Sequence, residues 1–253
     1  MGKEPRSVTK RPKTFIDVVE FARTRLGFTP DANQAEILRS SARRGILNCS
    51  RQWGKSTITA AKAIYRALTR PASLILVASP SRRQSAEWMR KARTMVARAG
   101  IAPRGDGDNP GSILLPNGSR IVGLPGVADT VRGFSAVNML VIDEAARVHD
   151  EIYESLRPML LVSDGDIWMM STPNGKCGFF YETWEHGGDE WLRVSGPATE
   201  CGHISQRFLE EQRSAMTHDA FRQEHMCEFI GVGTALFDPD LIDAAFDDTL
   251  EAL

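Results

Sequence analysis

Short apolar runs alternate with amphipathic stretches along most of the 253-residue chain. Four runs have the near-continuous apolar character of strands that are buried on both faces, at 45–49, 73–78, 138–142 and 166–170. Apolar residues at helical spacing predict helices over 15–26, 31–43, 55–68, 82–99 and 150–161. The alternation predicts an α/β fold with a mainly parallel sheet covered by helices on both faces.

The dipeptide Asn117-Gly118 lies between the apolar stretches 112–116 and 119–123, and it predicts a β-hairpin. The tail from position 205 predicts two further helices, followed by a less regular piece. The first of these helices ends near 213 and the second spans 218–227. The irregular piece covers 229–246. We divide the chain into a flexible basic arm, a core and a small C-terminal linker subdomain, at 1–13, 14–200 and 201–253.

The composition is that of an ordinary globular protein, with 42% hydrophobic and 25% charged residues. No apolar run is long enough for a membrane helix, and no secretory signal is recognisable. The net charge of -1 conceals an asymmetry: residues 1–100 carry 21 Lys and Arg against 6 Asp and Glu, and the remainder carries 10 against 26. The basic half suits the phosphates of a nucleotide or of DNA, or the acidic half of a neighbouring subunit. The four scattered cysteines indicate reduced thiols in a cytosol.

A candidate phosphate-binding loop lies between the first predicted strand and the helix that follows it. Its residues are Cys49, Ser50, Arg51, Gln52, Trp53, Gly54, Lys55, Ser56 and Thr57. Gly54 lets the backbone approach a phosphate, Lys55 supplies a cation and Ser56 a hydroxyl ligand for Mg²⁺. Cys49 replaces the first glycine of the usual motif, and it would be strained there if that position required positive φ. A chance Gly-Lys-Ser at a helix start is the alternative interpretation.

An acidic pair, Asp143-Glu144, follows the apolar strand at 138–142. Asp143 is thereby placed at the carboxyl edge of the predicted sheet, where α/β proteins bind ligands. There Asp143 is expected to hold Mg²⁺ together with Ser56, and Glu144 to polarise the attacking water. A helix N-cap would also favour this pair. The loop and the pair together predict hydrolysis of ATP bound with Mg²⁺.

The next strand ends in Ser171-Thr172-Pro173, whose hydroxyls could sense the γ-phosphate, although the segment is also good turn chemistry. Phosphoryl transfer needs additional positive charge on the transferring group. Arg132, in a glycine-flanked loop before the acidic strand, and Arg51, inside the phosphate loop, are rival candidates.

With these residues assembled, the chain resembles the ATPase domain of the large terminase subunits of tailed bacteriophages, over about residues 28–240. The segment from Ser50 to Ser56 resembles the family's deviant phosphate loop, which tolerates a non-glycine first position. The resemblance implies a RecA-like P-loop fold and an adenine contact from Gln34. It also implies a coupling role for Ser171-Thr172-Pro173 and an arginine finger acting in trans at Arg132. The segment from Arg222 to Phe229 resembles the linker that closes the domain.

The same resemblance implies translocation of double-stranded viral DNA into a procapsid. The implied partners are DNA, further copies of the chain in a ring, the portal protein and the small terminase subunit, without a membrane. The host cytoplasm is the implied location. The family's nuclease domain has no counterpart here, so we expect a truncated chain without nuclease activity, and we interpret the aspartates between 238 and 248 as a solvated acidic helix.

Two other functions remain open at this stage. The Asp-Glu-Ala-Ala sequence at 143–146 also fits one lobe of a superfamily 2 helicase, and a nucleotide-gated DNA-binding module would bind ATP without turnover. The basic run at 82–93 could follow a DNA backbone or be a solvated helix face, and Trp53 could stack on a base or pack internally. Four zinc-type ligands have an unusual spacing, so we do not expect a metal site from Cys201, His203, His225 and Cys227.

Overall fold

The computed structural model describes residues 16–104, 111–124, 133–202 and 204–231. The strands are β1 (Arg44–Cys49), β2 (Leu74–Ala78), β3 (Ser112–Leu114), β4 (Arg120–Leu124), β5 (Met139–Asp143), β6 (Asp166–Ser171) and β7 (Trp191–Gly196). The helices are α1 (Val18–Phe21), α2 (Ala32–Arg39), α3 (Lys55–Thr69), α4 (Arg82–Arg98), α5 (Asp150–Leu156), α6 (Gly178–His186), α7 (Gln206–Ala215) and α8 (His218–Met226).

The seven strands form a single sheet in the order β3-β4-β2-β5-β6-β1-β7. All neighbouring strands are parallel except the pair β3 and β4. The strand β6 therefore lies between β1, which precedes the phosphate loop, and β5, which carries the acidic pair. In this order the carboxyl ends of β1, β5 and β6 meet at one edge of the sheet, and the predicted site residues follow these ends.

The central strands are buried on both faces, as their apolar character predicts. On one face, Leu47 of β1 packs in a cluster with side chains of α3 and α4. On the other face, Ile46 packs in a second cluster with side chains of α5 and α6. Trp168 of β6 is fully buried in the first cluster and lies against Gly45 of β1, where a Cβ atom would collide with the indole ring.

The helix α3 begins directly after the phosphate loop. Its N-cap is Gly54, at a φ of 98°, a left-handed conformation that favours glycine. The buried positions Ile58, Ala61 and Ile64 follow the i, i+3 and i+6 spacing of one helical face and pack on the sheet. The amphipathic pattern therefore fixes the helix against the sheet with its N-terminus at the site edge.

The predicted strands and the Asn117-Gly118 hairpin are confirmed, with Gly118 at a φ of 85° in the turn between β3 and β4. The two tail helices are confirmed as α7 and α8. The predicted helix 15–26 begins only at Val18, because the Asp17 side chain caps its first backbone N–H groups, and it continues beyond α1 as a wider π-helical turn, Ala22–Leu26.

The predicted ends of two helices were wrong. Helix α2 ends at Arg39, because the Lys62 ammonium donates hydrogen bonds of 2.9–3.3 Å to carbonyls at the end of the helix, those of Ile37, Leu38 and Ser40. The predicted helix 150–161 ends as α5 at Leu156 and continues as a 3-10 turn, because Pro158 has no N–H to extend the α-helix.

Helix α6 and strand β7 were not predicted. In β7 the middle residues are half-buried and include Arg193, so the strand lacks the continuous apolar run that marked the others. It pairs with β1 at the edge of the sheet. The arm at 1–13, Arg132 and the acidic stretch after 231 lie outside the described residues, so the proposed division into domains stays a prediction. Within the described segments, none of the helices combines the length and apolar character that crossing a bilayer requires.

Candidate nucleotide-binding site

The phosphate loop connects β1 to α3. Cys49 is the last residue of β1, buried and without positive φ, so the position does not require the conformation that would strain a cysteine. The left-handed conformations fall instead on Gln52, at a φ of 65°, and on Gly54. The Nζ of Lys55 donates hydrogen bonds to the carbonyl oxygens of Cys49 (2.7 Å) and Ser50 (2.8 Å). The lysine ammonium is thereby held within the loop, at the N-terminus of α3. Thr57, in the first turn of the helix, donates its backbone N–H to the Gly54 carbonyl.

The Trp53 side chain does not face the nucleotide site. It is only 3% exposed, belongs to the core, and lies against Gly196 at the end of β7. The prediction that Trp53 contacts the nucleotide is therefore restricted to its backbone. The Trp53 side chain packs internally, which was the alternative interpretation.

Gln34 is bonded to protein atoms beside the phosphate loop, and its contact with adenine stays a prediction. Its Nε2 donates a 2.9 Å hydrogen bond to the carbonyl of Trp53, and its Oε1 accepts one from the backbone N–H of Asp31 at 3.2 Å. Asp31 in turn caps the backbone N–H of Gln34, which completes a capping box at the start of α2. Both ends of the buried amide are thus bonded to protein, and Gln34 supports the phosphate loop in this structure.

Ser56 and Asp143 meet as predicted: the serine Oγ donates to the Asp143 Oδ1 at 3.2 Å. Asp143 is 7% exposed, and burial together with the charge of Glu144 raises its pKa to about 6. A hydroxyl and a buried carboxylate are hard oxygen ligands, and a divalent cation would offset the unfavourable burial of the negative charge. The residues present therefore fit Mg²⁺.

Glu144 lies next to the predicted coupling segment. Its Oε2 accepts a 3.4 Å hydrogen bond from the Ser171 Oγ at the end of β6. Its backbone is left-handed, with a φ of 51° in a non-glycine residue. Thr172 and Pro173 follow, both buried. The acidic pair and the Ser171-Thr172-Pro173 segment thus form one contiguous group.

Two residues outside the predicted site, Arg147 and Glu224, connect this group to the phosphate loop. Arg147 donates to the Oγ1 of Thr172 (3.0 Å) and approaches Glu144 (3.4 Å) and Glu224 of α8 (3.2 Å). Glu224 also accepts from the Arg51 Nε at 2.7 Å, and this pairing raises the pKa of Arg51. Arg51 is therefore held by a carboxylate, and its rival Arg132 lies outside the described residues.

A cavity of about 540 Å³ opens between the phosphate loop and α4. Its lining includes Ser56, Asp143 and Glu144 together with Phe28 and Lys91. Burial lowers the pKa of the Lys91 ammonium, although the Asp143 charge opposes this shift. The basic run at 82–93 thus contributes two basic residues, Arg90 and Lys91, to the lining of the cavity. Nothing in a single sequence marks Phe28 as part of it.

The four zinc-type ligands can be described only in part, because His203 lies outside the described residues. Cys201 and Cys227 are buried, and burial raises the pKa of both thiols, that of Cys227 to about 12. The Cys227 Sγ donates to the carbonyl of Gly196. No group of three or more His, Cys, Asp and Glu side chains suited to a metal ion occurs within the described part of the chain.

A phosphate loop and an acidic pair on strands separated by one inserted strand define the RecA-like class of P-loop protein. Comparisons with known proteins agree with this assignment. The profile of the family described as "Terminase large subunit, T4likevirus-type, N-terminal" matches residues 46–243. The chain therefore belongs to the terminase large-subunit family.

Individual relatives are distant. The large terminase subunit of Thermus virus P23-45 is 26% identical over 249 residues, covering 84% of this chain and 51% of that protein. The large terminase subunit of Escherichia phage T5 is 26% identical over 227 residues, covering 84% and 50%. The chain thus spans about half the length of the curated relatives it matches.

Solved structures share the fold. The ATPase domain of the Thermus phage P74-26 large terminase superposes with a TM-score of 0.72 at 23% identity, covering 87% of this chain and 100% of that domain. The HK97 bacteriophage large terminase gives 0.70 at 15% identity, covering 84% and 55%. The large terminase of a thermophilic bacteriophage, solved in complex with ADP, gives 0.68 at 12% identity, covering 79% and 53%.

Proposed function

We propose that this chain hydrolyses ATP and that the hydrolysis drives movement of double-stranded DNA into a viral procapsid. The observation that carries the proposal is the 3.2 Å contact between Ser56 and Asp143, which joins the phosphate loop to the acidic pair. Membership of the terminase large-subunit family supports the same function.

In this proposal the loop residues Ser50 to Ser56 surround the β- and γ-phosphates, and the N-terminus of α3 points at them. Lys55 exchanges its carbonyl partners for phosphate oxygens. Ser56 and Asp143 hold Mg²⁺, which supplies positive charge against the phosphates when bound. Glu144 orients the attacking water and accepts its proton. Backbone groups of Gln52 and Trp53 contribute to the cradle.

The transferring phosphoryl group also needs an arginine. Arg132 from a neighbouring copy is the first candidate. Arg51 within the same copy is the second, and it would first have to break its ion pair with Glu224. An arginine finger contributes on the order of 10³–10⁵ in rate. Alanine variants at the two positions, each assayed alone and mixed with wild type, distinguish them, because only a finger acting in trans is restored by mixing.

The broader role follows from the family. Loss of the γ-phosphate would be relayed through Ser171, Thr172 and Pro173 to a surface that grips DNA. Supply of an arginine in trans implies a ring of copies, which would work in the host cytoplasm with the portal protein and the small terminase subunit. The ADP complex of a structural relative supports the choice of nucleotide.

Phosphate release from ATP and Mg²⁺, with and without double-stranded DNA, tests the proposal. Glu144→Gln should lower turnover on the order of 10²–10⁴-fold and leave ATP binding intact, because the carboxylate acts on water and not on the nucleotide. Glu185→Gln, an exposed position on α6, is the matched control. Binding without turnover in the wild type would instead favour a nucleotide-gated DNA-binding module.

A further inference from the structure

Arg147 contacts three different parts of the site with one guanidinium group. Its Nη1 donates to the Thr172 Oγ1 at 3.0 Å and approaches the Glu144 Oε2 at 3.4 Å, while its Nη2 approaches the Glu224 Oε1 at 3.2 Å. Glu144 follows β5, Thr172 follows β6, and Glu224 lies on α8. The planar fork of an arginine presents several N–H donors in fixed directions, which suits partners on three sides.

The burial of this group distinguishes it from ordinary surface ion pairs. The side chains of Arg147, Glu144 and Glu224 are 27%, 28% and 17% exposed. The pair Arg207–Glu211 on α7 is 89% and 58% exposed. Exposed pairs are held weakly, whereas partly buried charges are costly to separate and keep their geometry.

The backbone reinforces this geometry. Arg147 ends the 3-10 turn Ala145–Arg147, and its N–H donates to the Glu144 carbonyl at 2.9 Å. The arginine and the acid are therefore fixed to each other by the main chain as well as by their side chains. Among the described residues, Glu224 is the only carboxylate of α8 that Arg147 contacts. Glu224 also binds Arg51.

We propose that Arg147 is a positioning residue for Glu144, and that Glu224 holds Arg147 so that α8 controls the orientation of the water-activating carboxylate. The inference rests on the proposed function, since it assigns Glu144 its role. Without Arg147, the Glu144 carboxylate keeps only the long Ser171 contact among those described above. It would then lose its alignment while the phosphate loop stays intact.

The test measures kcat, KM for ATP and the affinity for a fluorescent ATP analogue in the purified chain. Arg147→Gln should lower kcat on the order of 10–100-fold, which is the cost of misplacing a reacting group by about 1 Å. KM and affinity should change less than about twofold. Arg147→Lys should restore part of kcat, because it keeps the charge but not the fork. Arg207→Gln is the control, with an ordinary exposed pair.

A double-mutant cycle tests the role of α8. If Glu224 acts through Arg147, Glu224→Gln should lower kcat, and the double variant should fall no further than Arg147→Gln alone. Additive losses would show that Glu224 acts by another route, such as Arg51, and would overturn the link to α8. Thermal unfolding of every variant identifies any that fail to fold, and such variants are replaced by the conservative Arg147→Lys and Glu224→Asp.

The two proposals fail in different ways. A wild-type chain that binds ATP but releases no phosphate in any condition overturns the proposed function, and the inference with it. Active wild type with unchanged kcat in Arg147→Gln overturns the inference alone. A fall in affinity that matches the fall in kcat would show that Arg147 serves nucleotide binding, which also contradicts a positioning role.

Discussion

At Asp143 the fold places a carboxyl group where little water reaches it. Burial and the neighbouring Glu144 raise its pKa to about 6, and the Ser56 hydroxyl and two lysines only partly oppose this. The folded chain therefore binds a proton at Asp143 more tightly than the unfolded chain. This contribution to stability is present in full below the unfolded pKa of about 4, and it is lost as the pH rises through 6.

Asp143→Asn should consequently stabilise the chain against urea near pH 7 in the presence of EDTA. The expected gain in the free energy of unfolding is on the order of 2–3 kcal/mol, and it should shrink near pH 4, where the wild type is protonated. Asp164→Asn is the control, because Arg43 lowers the pKa of that exposed carboxyl. Equal stability of Asp143→Asn and wild type near pH 7 would contradict the prediction.

Individual site residues differ in how far the sequence could predict them. The meeting of Ser56 and Asp143 was predictable, because the predicted Mg²⁺ site needs oxygen ligands and the two motifs place a hydroxyl and a carboxylate at the same edge of the sheet. Arg147 and Glu224 are 77 positions apart, and no spacing rule brings them together. The family resemblance implied an adenine contact for Gln34, which stays a prediction, whereas the bond of Gln34 to the Trp53 carbonyl depends on how α2 packs beside the loop.

At the scale of elements, β7 supports the phosphate loop from outside the motif. The Gly196 carbonyl accepts the backbone N–H of Ser50 at 2.9 Å, and the Trp53 ring covers the glycine. A Cβ at this position would lie 2.5 Å from the Trp53 Nε1 and 2.8 Å from the Cys49 Sγ. The end of an edge strand thus fixes the shape of the loop.

Gly196→Ala should therefore displace Trp53 and weaken ATP binding. Overpacking of this kind costs about 1–3 kcal/mol of stability. Calorimetric titration with ATP and thermal unfolding would measure the two effects. Gly202→Ala provides the comparison, since a Cβ there meets nothing within 4 Å. An unchanged affinity in Gly196→Ala would mean that the loop does not depend on β7.

Elements also differ in how clearly the sequence marks them. β5 and β6 are buried on both faces, so their continuous apolar runs were sufficient to predict them. The middle of β7 is half-buried at a sheet edge and mixes polar with apolar residues, so no strand was predicted there. The end of α2 depends on Lys62, which belongs to another helix and reaches it only in the folded chain.

At the scale of the whole molecule, the accessibility of the cysteines indicates how tightly the core is packed. Cys49, Cys201 and Cys227 are buried, and Cys177 is exposed. Burial raises the pKa of each of the three buried thiols, which lowers their thiolate fraction as well as their accessibility.

One thiol should consequently react quickly with Ellman's reagent near pH 8, and the other three only after unfolding. Cys177→Ser is the control that should remove the rapid phase. Absorbance at the wavelength of the released thiolate gives the count directly. Two or more rapid equivalents in the native chain would contradict the packing around α8 and the phosphate loop.

The pairing of Gly45 with Trp168 across β1 and β6 has a consequence for related sequences. The indole occupies the space that a side chain at position 45 would need. A larger residue at 45 is compatible only with a smaller one at 168, so the two positions should vary together during evolution. Such covariation would record, without any structure, that the strand before the phosphate loop and the strand that ends in Ser171 are neighbours.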